Sequence, residues 1–174
     1  MKTSTFALLA GIAYLGAGLL GLVPALLMPP PPDAPPTSFT MLYGYLLGLF
    51  PVNAAHTAVH LAIGAWGIAA WRGSADPALF ARGVALFYGA LAILGLLPMF
   101  NTLLGLIPIH GHDVWLHGVT AAIAAYFGWR SEVPHAERRG SRLDRRHRMR
   151  PVAQERRHGV ADRRFAHSRM MAGV

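Results

Sequence analysis

The sequence predicts an all-α membrane fold: a four-transmembrane-helix bundle built from two parallel-repeat helical hairpins, followed by a disordered basic C-terminal tail. Three observations predict it. Only 14% of the 174 residues are charged and 53% are hydrophobic, whereas a soluble domain is about 25% charged. Four stretches approach the roughly 20 apolar residues that a bilayer-crossing helix needs. The chain also repeats itself at fixed offsets.

The first span is expected over Thr5–Leu27. Lys2 before it leaves a signal peptide as the rival reading. The apolar stretch is longer than the 7–15 residues of a signal core, and no A-x-A site follows, which favours a retained helix. The loop Met28–Ser38, with its run PPPPDAPP, follows. Phe39–Phe50 is apolar but too short to span, so it is expected to be an interfacial or re-entrant turn capping the bundle, as is Met99–Ile107. Pro51 and Pro108 mark where each chain segment begins its descent, since the residue before a proline avoids helical geometry. The second span is Val52–Trp71 and the third Leu79–Leu97. The fourth is Val114–Trp129, able to begin near Ile109.

Orientation follows from the cations. Thirteen of the sixteen Lys+Arg lie at or beyond Arg130, so Lys2, Arg72 and Arg82 are the only cations of the first 129 residues. Asp33, Asp76 and Asp113 balance them, and the whole net charge of +8 belongs to the tail. The loops Met28–Ser38 and Pro98–His112 contain no Lys or Arg, which by the positive-inside rule makes both termini cytoplasmic in a multi-pass protein of the bacterial plasma membrane. Arg72 and Arg130 then anchor spans two and four beside Trp71 and Trp129. There is no cysteine, so no disulfide forms.

The repeat is legible residue by residue. Phe6, Tyr14, Leu20-Gly21 and Pro24 recur as Phe80, Tyr88, Leu94-Gly95 and Pro98, at an offset of 74. Leu46-Leu47-Gly48-Leu49 and Pro51 recur as Leu103-Leu104-Gly105-Leu106 and Pro108, at an offset of 57. In that register His60 falls on His117 and His56 on Asp113. A duplicated hairpin gives a membrane domain over residues 1–130, with repeat one about 5–72 and repeat two about 79–130, and a tail over 131–174. Both copies enter from the same side, so their pseudo-twofold axis lies along the membrane normal.

The polar residues of the spans form stripes. Asn53, His56 and His60 share one side of span two, and Asp113 and His117 repeat the arrangement on span four. Ionisable groups are costly against lipid, so these stripes face the interior. Small residues on the same stripes let backbones approach, and span one supplies Ala7, Gly11, Gly18 and Ala25. At 1.5 Å per residue His60 and His117 reach the same depth, near the level of Tyr14 and Tyr88. The candidate intramembrane polar site is therefore Asn53, His56, His60, Asp113, His117, Tyr14 and Tyr88.

Several readings of this site compete. The structural one has neutral histidines holding helices in register, with no cofactor. A second is a metal or haem site of a membrane redox protein. His56 and His60, four apart, with Asp113 and His117, make a His/Asp set for a divalent metal, while His60 and His117 from opposite sides suit haem b. His110 and His112 could add ligands from the outer loop, although loop histidines are usually just solvated. A third is proton or substrate passage through a small transporter subunit, which would need a homo-oligomer; lipid or quinone binding is a fourth. An enzyme acting on lipid is disfavoured, because no nucleophile–base pairing is found and Ser4, Ser38, Ser74 and Ser131 lie outside the spans.

The tail from Arg130 onward is polar and without a lasting period. Its Arg138, Arg139, Arg142, Arg145, Arg146, Arg148 and Arg150 suit anionic lipid headgroups, each base near the surface being worth about 1 kcal/mol. Nucleic acid is a poor partner, because Phe165 is the only aromatic after Trp129 and stacking is thus poorly provided for.

At LFPVNAAHTAVHLAIGAWG and NTLLGLIPIHGHDVWLHG the chain resembles the bacterial family of uncharacterised membrane proteins known as DUF4383, a domain of unknown function. The resemblance runs from about Thr5 to Arg130, with Asn53-x-x-His56-x-x-x-His60 and Asp113-x-x-x-His117 as its motifs. It implies a four-helix integral membrane protein, and no reaction, cofactor or partner.

Overall fold

The protein was analysed as a computed structural model, which describes residues 1–130. The tail from residue 131, with its expected lipid-facing arginines, lies outside the described residues. Four helices carry the domain: α1 Thr3–Gly21, α2 Ala54–Arg72, α3 Pro77–Leu96 and α4 His112–Trp129. Two of them, α1 and α3, are long and apolar enough to cross a membrane. The helices α2 and α4 carry the histidines and Asp113, which lower their apolar character.

Each helix end has a local cause. Asn53 caps α2 by accepting a hydrogen bond from the His56 N–H at 2.9 Å. That helix stops at Gly73, whose φ of 83° is a left-handed conformation that costs glycine nothing. The Ser74 N–H then returns to the Ala69 carbonyl at 2.9 Å. Asp76 opens α3 by accepting from the Ala78 N–H at 2.8 Å, with Pro77 in the first turn. The α2–α3 connection is therefore a tight reversal.

Within each hairpin the helices run antiparallel, α1 along α2 and α3 along α4; the hairpins meet through α1 with α3 and α2 with α3, whereas α1 and α4 touch little. The small-residue stripe sets the first pair. A Cβ on Gly64 would lie 2.6 Å from the Leu15 nitrogen, and one on Gly11 2.9 Å from the Ile68 nitrogen, so these backbones are in direct contact. At the charged end Thr3 Oγ1 donates to the Phe127 carbonyl at 3.3 Å, Phe6 stacks on Phe127 at 4.9 Å, and Arg82 Nε donates to the Gly128 carbonyl at 2.7 Å. The core between the hairpins is built from Phe6, Ala7, Phe80, Val84, Tyr88 and Phe127.

The expectation of an all-α fold needs correction at the opposite end. The first span ends early, at Gly21 rather than Leu27, and Pro24–Leu26 is a short 3-10 turn. Ala25 therefore leaves the small-residue stripe. The chain then forms a three-stranded antiparallel sheet of β1 Leu27–Met28, β2 Gly44–Leu46 and β3 Phe50–Val52, with Tyr45 opposite both Met28 and Pro51. Pro51 sits on the edge strand β3, where its missing N–H breaks no ladder. Phe39–Phe50 is thus largely a hairpin rather than a re-entrant turn, because Leu47 and Gly48, at φ of 53° and 75°, reverse the strand. The corresponding Leu104 and Gly105 have φ of 59° and 89°, so the duplication extends to the left-handed backbone. There, turns replace strands.

Candidate functional site

The cluster is assembled where the heads of α2 and α4 meet. Pro51 and Pro108, equivalent residues of the two repeats, are both fully buried at this end of the domain. His56 follows one turn into α2. Asp113 lies in the first turn of α4, where the helix dipole favours a carboxylate. His117 is one turn deeper. All three are about 3% exposed.

The side chains converge. His56 Nδ1 lies 3.9 Å from Asp113 Oδ2. The His56 ring is 4.5 Å from that of His60 and 6.3 Å from that of His117. Tyr14 and Tyr88 stack at 5.1 Å between the hairpins; Tyr14 reaches His60 at 5.5 Å and Tyr88 reaches His117 at 5.0 Å. His56, Asp113 and His117 each offer one ligand atom within 4.8 Å of the others. His60 stands outside that group, half-buried against Tyr14. His56 Nδ1, Asp113 Oδ2 and His117 Nδ1 are buried and have no hydrogen-bond partner among the described residues.

Asn53 is placed differently from the rest. Besides capping α2, its Nδ2 donates to the Phe39 carbonyl at 3.0 Å and to the Leu106 carbonyl at 2.7 Å. Both N–H bonds and the oxygen are used, so Asn53 is a cross-brace between the loops that carry Phe39 and Leu106 rather than a face of the cluster. Nearby, the Gly105 carbonyl accepts from Thr37 Oγ1 at 2.7 Å and from the Ser38 N–H at 2.9 Å, tying the proline-rich loop to the second repeat.

Of the two histidines that could have added ligands, His112 is exposed as expected of a solvated residue, whereas His110 is buried. His110 is 7% exposed, its ring 6.2 Å from that of Tyr45, and burial lowers its pKa from 6.5. Burial raises the pKa of Tyr45 and of Tyr43. His112 Nδ1 accepts from Trp115 Nε1 at 3.1 Å. Sequence reasoning missed an apolar groove of about 690 Å³ between α1 and α4, floored by the cluster. No pattern in the sequence marks it, since it depends on how far apart two helices stand.

Fold and site together define a mostly helical domain of two repeated hairpins with a buried His–Asp–Tyr cluster at their junction. The model of the family described as Domain of unknown function (DUF4383) matches residues 4–130, and the chain belongs to that family. No curated protein and no solved structure matches it.

Proposed function

We propose that the chain is a four-span integral membrane protein of the plasma membrane, with both termini cytoplasmic, whose His56–Asp113–His117 cluster binds a divalent transition-metal ion. Its outward faces support the spanning geometry. Leu86, Ile93, Leu96 and Tyr126 are each 64–71% exposed, far more apolar surface than water tolerates on a monomer. Lys2, Arg72, Arg82 and Arg130 lie at or near one set of helix ends, while the loops at the other end carry no Lys or Arg. The basic tail beyond the domain adds attraction to anionic headgroups on the cytoplasmic face.

The metal reading is supported by one observation: His56, Asp113 and His117, buried on two helices, each bring a ligand atom within 4.8 Å of the others, and each has a nitrogen or oxygen without a hydrogen-bond partner among the described residues. Each unmatched polar atom costs about 1–3 kcal/mol. A single cation would satisfy all three. Two imidazole nitrogens and a carboxylate oxygen suit zinc and similar ions, with bonds of about 2.0–2.2 Å. Three protein ligands leave a fourth position open, the pattern of sites that bind a further molecule. The present 3.9 Å between His56 Nδ1 and Asp113 Oδ2 exceeds a tetrahedral edge, about 3.3 Å for such bonds, so loading draws the side chains slightly inward.

The test is elemental analysis and cobalt(II) titration of protein purified in mild detergent. Wild type should take up one equivalent with a visible tetrahedral d–d spectrum. His117→Ala and Asp113→Asn should weaken uptake by about 10-fold or more, given that even outer-shell partners matter that much. A folded preparation that takes up no ion refutes the reading, and a Soret band would replace the ion by haem.

A further inference from the structure

The groove between α1 and α4 runs beside the core that joins the hairpins, with Phe6 and Tyr88 shared by both. Its upper walls come from apolar or small groups, among them Ala13 and Gly16 of α1 and Leu116 and Ile123 of α4. Phe6, stacked on Phe127 at 4.9 Å, closes its charged end. Its volume of about 690 Å³ falls within the 300–1,000 Å³ typical of small-molecule sites. The floor is polar, because Tyr88, Asp113, His117 and Thr120 all line it. Tyr88, Asp113 and His117 are at most 3% exposed, and Asp113 Oδ2 and His117 Nδ1 lack hydrogen-bond partners.

We propose that this groove binds a membrane-resident amphiphile with a flat, uncharged, quinone-type head on the polar floor and a single apolar tail between α1 and α4. The head follows from the chemistry of the floor. Among the described residues no Lys or Arg lines the groove, and the Met1 ammonium lies at the end opposite Asp113, so a phosphate or carboxylate head on the floor meets a carboxyl group and no fixed cation. The floor is instead rich in rings: Tyr14 and Tyr88 are stacked at an interplanar angle of 20°, with His60 and His117 against them. Planar rings favour a planar partner. Carbonyl oxygens of a quinone accept hydrogen bonds from hydroxyl groups such as those of Tyr88 and Thr120, whose oxygens in turn accept from quinol hydroxyls. The tail follows from the walls, since α1 and α4 scarcely touch and the lining residues Ile12, Leu20, Leu116 and Ile123 are apolar and exposed on the outside of the domain. The proposal rests on the four-span reading, because the opening must face lipid, but it does not depend on the metal.

The test uses the full chain in nonionic detergent, titrated calorimetrically with a benzoquinone carrying a decyl tail and, separately, with decanoate. Gly16→Trp is chosen to fill the groove, because Gly16 lines it and a Cβ there meets nothing within 4 Å among the described residues. Ala13→Trp, at an exposed position on the same wall, serves if the first variant misfolds. Wild type should bind the quinone saturably, the tryptophan variants should bind it about tenfold more weakly or worse, and decanoate should not saturate. Equal binding by wild type and both variants would mean micelle partitioning and overturn the proposal. So would decanoate binding as tightly, or no saturable quinone binding at all. The titration is repeated after chelation. Quinone binding by protein that takes up no cobalt upholds the groove while the metal reading fails, and cobalt uptake without quinone binding sinks the groove alone. Recovery of the protein outside the membrane fraction would refute the four-span reading separately.

Discussion

Replacing Gly64 by alanine places one methyl group where α1 and α2 already touch. That Cβ would sit 2.6 Å from the Leu15 nitrogen and 3.0 Å from the Gly11 carbonyl oxygen. Comfortable carbon contacts begin at about 3.5 Å, so the helices must separate locally by roughly 1 Å, which forfeits much of the dispersion energy along the stripe. Such overpacking costs about 1–3 kcal/mol. Alanine also gains about 1 kcal/mol over glycine in a helix interior, which would mask part of the loss. Gly16→Ala supplies the reference, because it carries the same propensity gain while its Cβ meets nothing within 4 Å. The difference between the two variants isolates the contact term. Gly64→Ala should be less stable than Gly16→Ala by about 1–3 kcal/mol in detergent unfolding followed by far-UV circular dichroism. If Gly64→Ala proves equal to or more stable than Gly16→Ala, the backbones are not in contact and the packing argument fails.

Two further outcomes are expected. Asn53→Ala removes an N-cap worth about 1 kcal/mol and strips the Phe39 and Leu106 carbonyls of their donor, so a loss of roughly 3 kcal/mol should appear in the same unfolding assay; a loss under about 0.5 kcal/mol, the range of an ordinary surface substitution, would show that it is not a brace. His110 should make stability pH-dependent with a definite sign. Burial lowers its folded pKa, so the unfolded chain takes up a proton near 6.5 that the folded chain refuses. Its contribution is complete above that pH and is lost as the pH falls below it. His110→Asn, which installs the residue that Asn53 supplies at the equivalent position of the first repeat, should flatten the acid side of the stability profile; an unchanged slope would assign it to other groups.

Much of the site was legible in the sequence because it depends on helical periodicity and on the repeat. Residues three or four apart in a helix share a face, so His56, His60, Asp113 and His117 had to form stripes. A duplicated hairpin also brings equivalent residues to equivalent depths. Tyr14 and Tyr88, matched across the repeat, do stack. The second role of Asn53 was not legible, since its partners are carbonyls of two loops far away in sequence. The sheet was equally hidden. Its strands are two or three residues long and apolar on both sides, too short to show alternation. One signal for the turns was present, the recurring Leu-Leu-Gly-Leu at 46–49 and 103–106, because glycine at a fixed place in an apolar run points to a left-handed residue.

The sequence by itself determined that this chain repeats a helical hairpin pattern with its net charge in the tail beyond it, and which polar residues lie on which faces. Those are consequences of local geometry and of the energetic cost of placing charge in apolar surroundings, which act residue by residue. Only the tertiary structure decided that His56, Asp113 and His117 bring ligand atoms together while His60, between His56 and Tyr14, stays outside that set, that Asn53 braces two loops, and that α1 and α4 stand apart over a polar floor. Those outcomes depend on inter-helix distances, which glycine contacts along α1 and α2 make short, while between α1 and α4 Gly16 meets nothing within 4 Å and a groove remains.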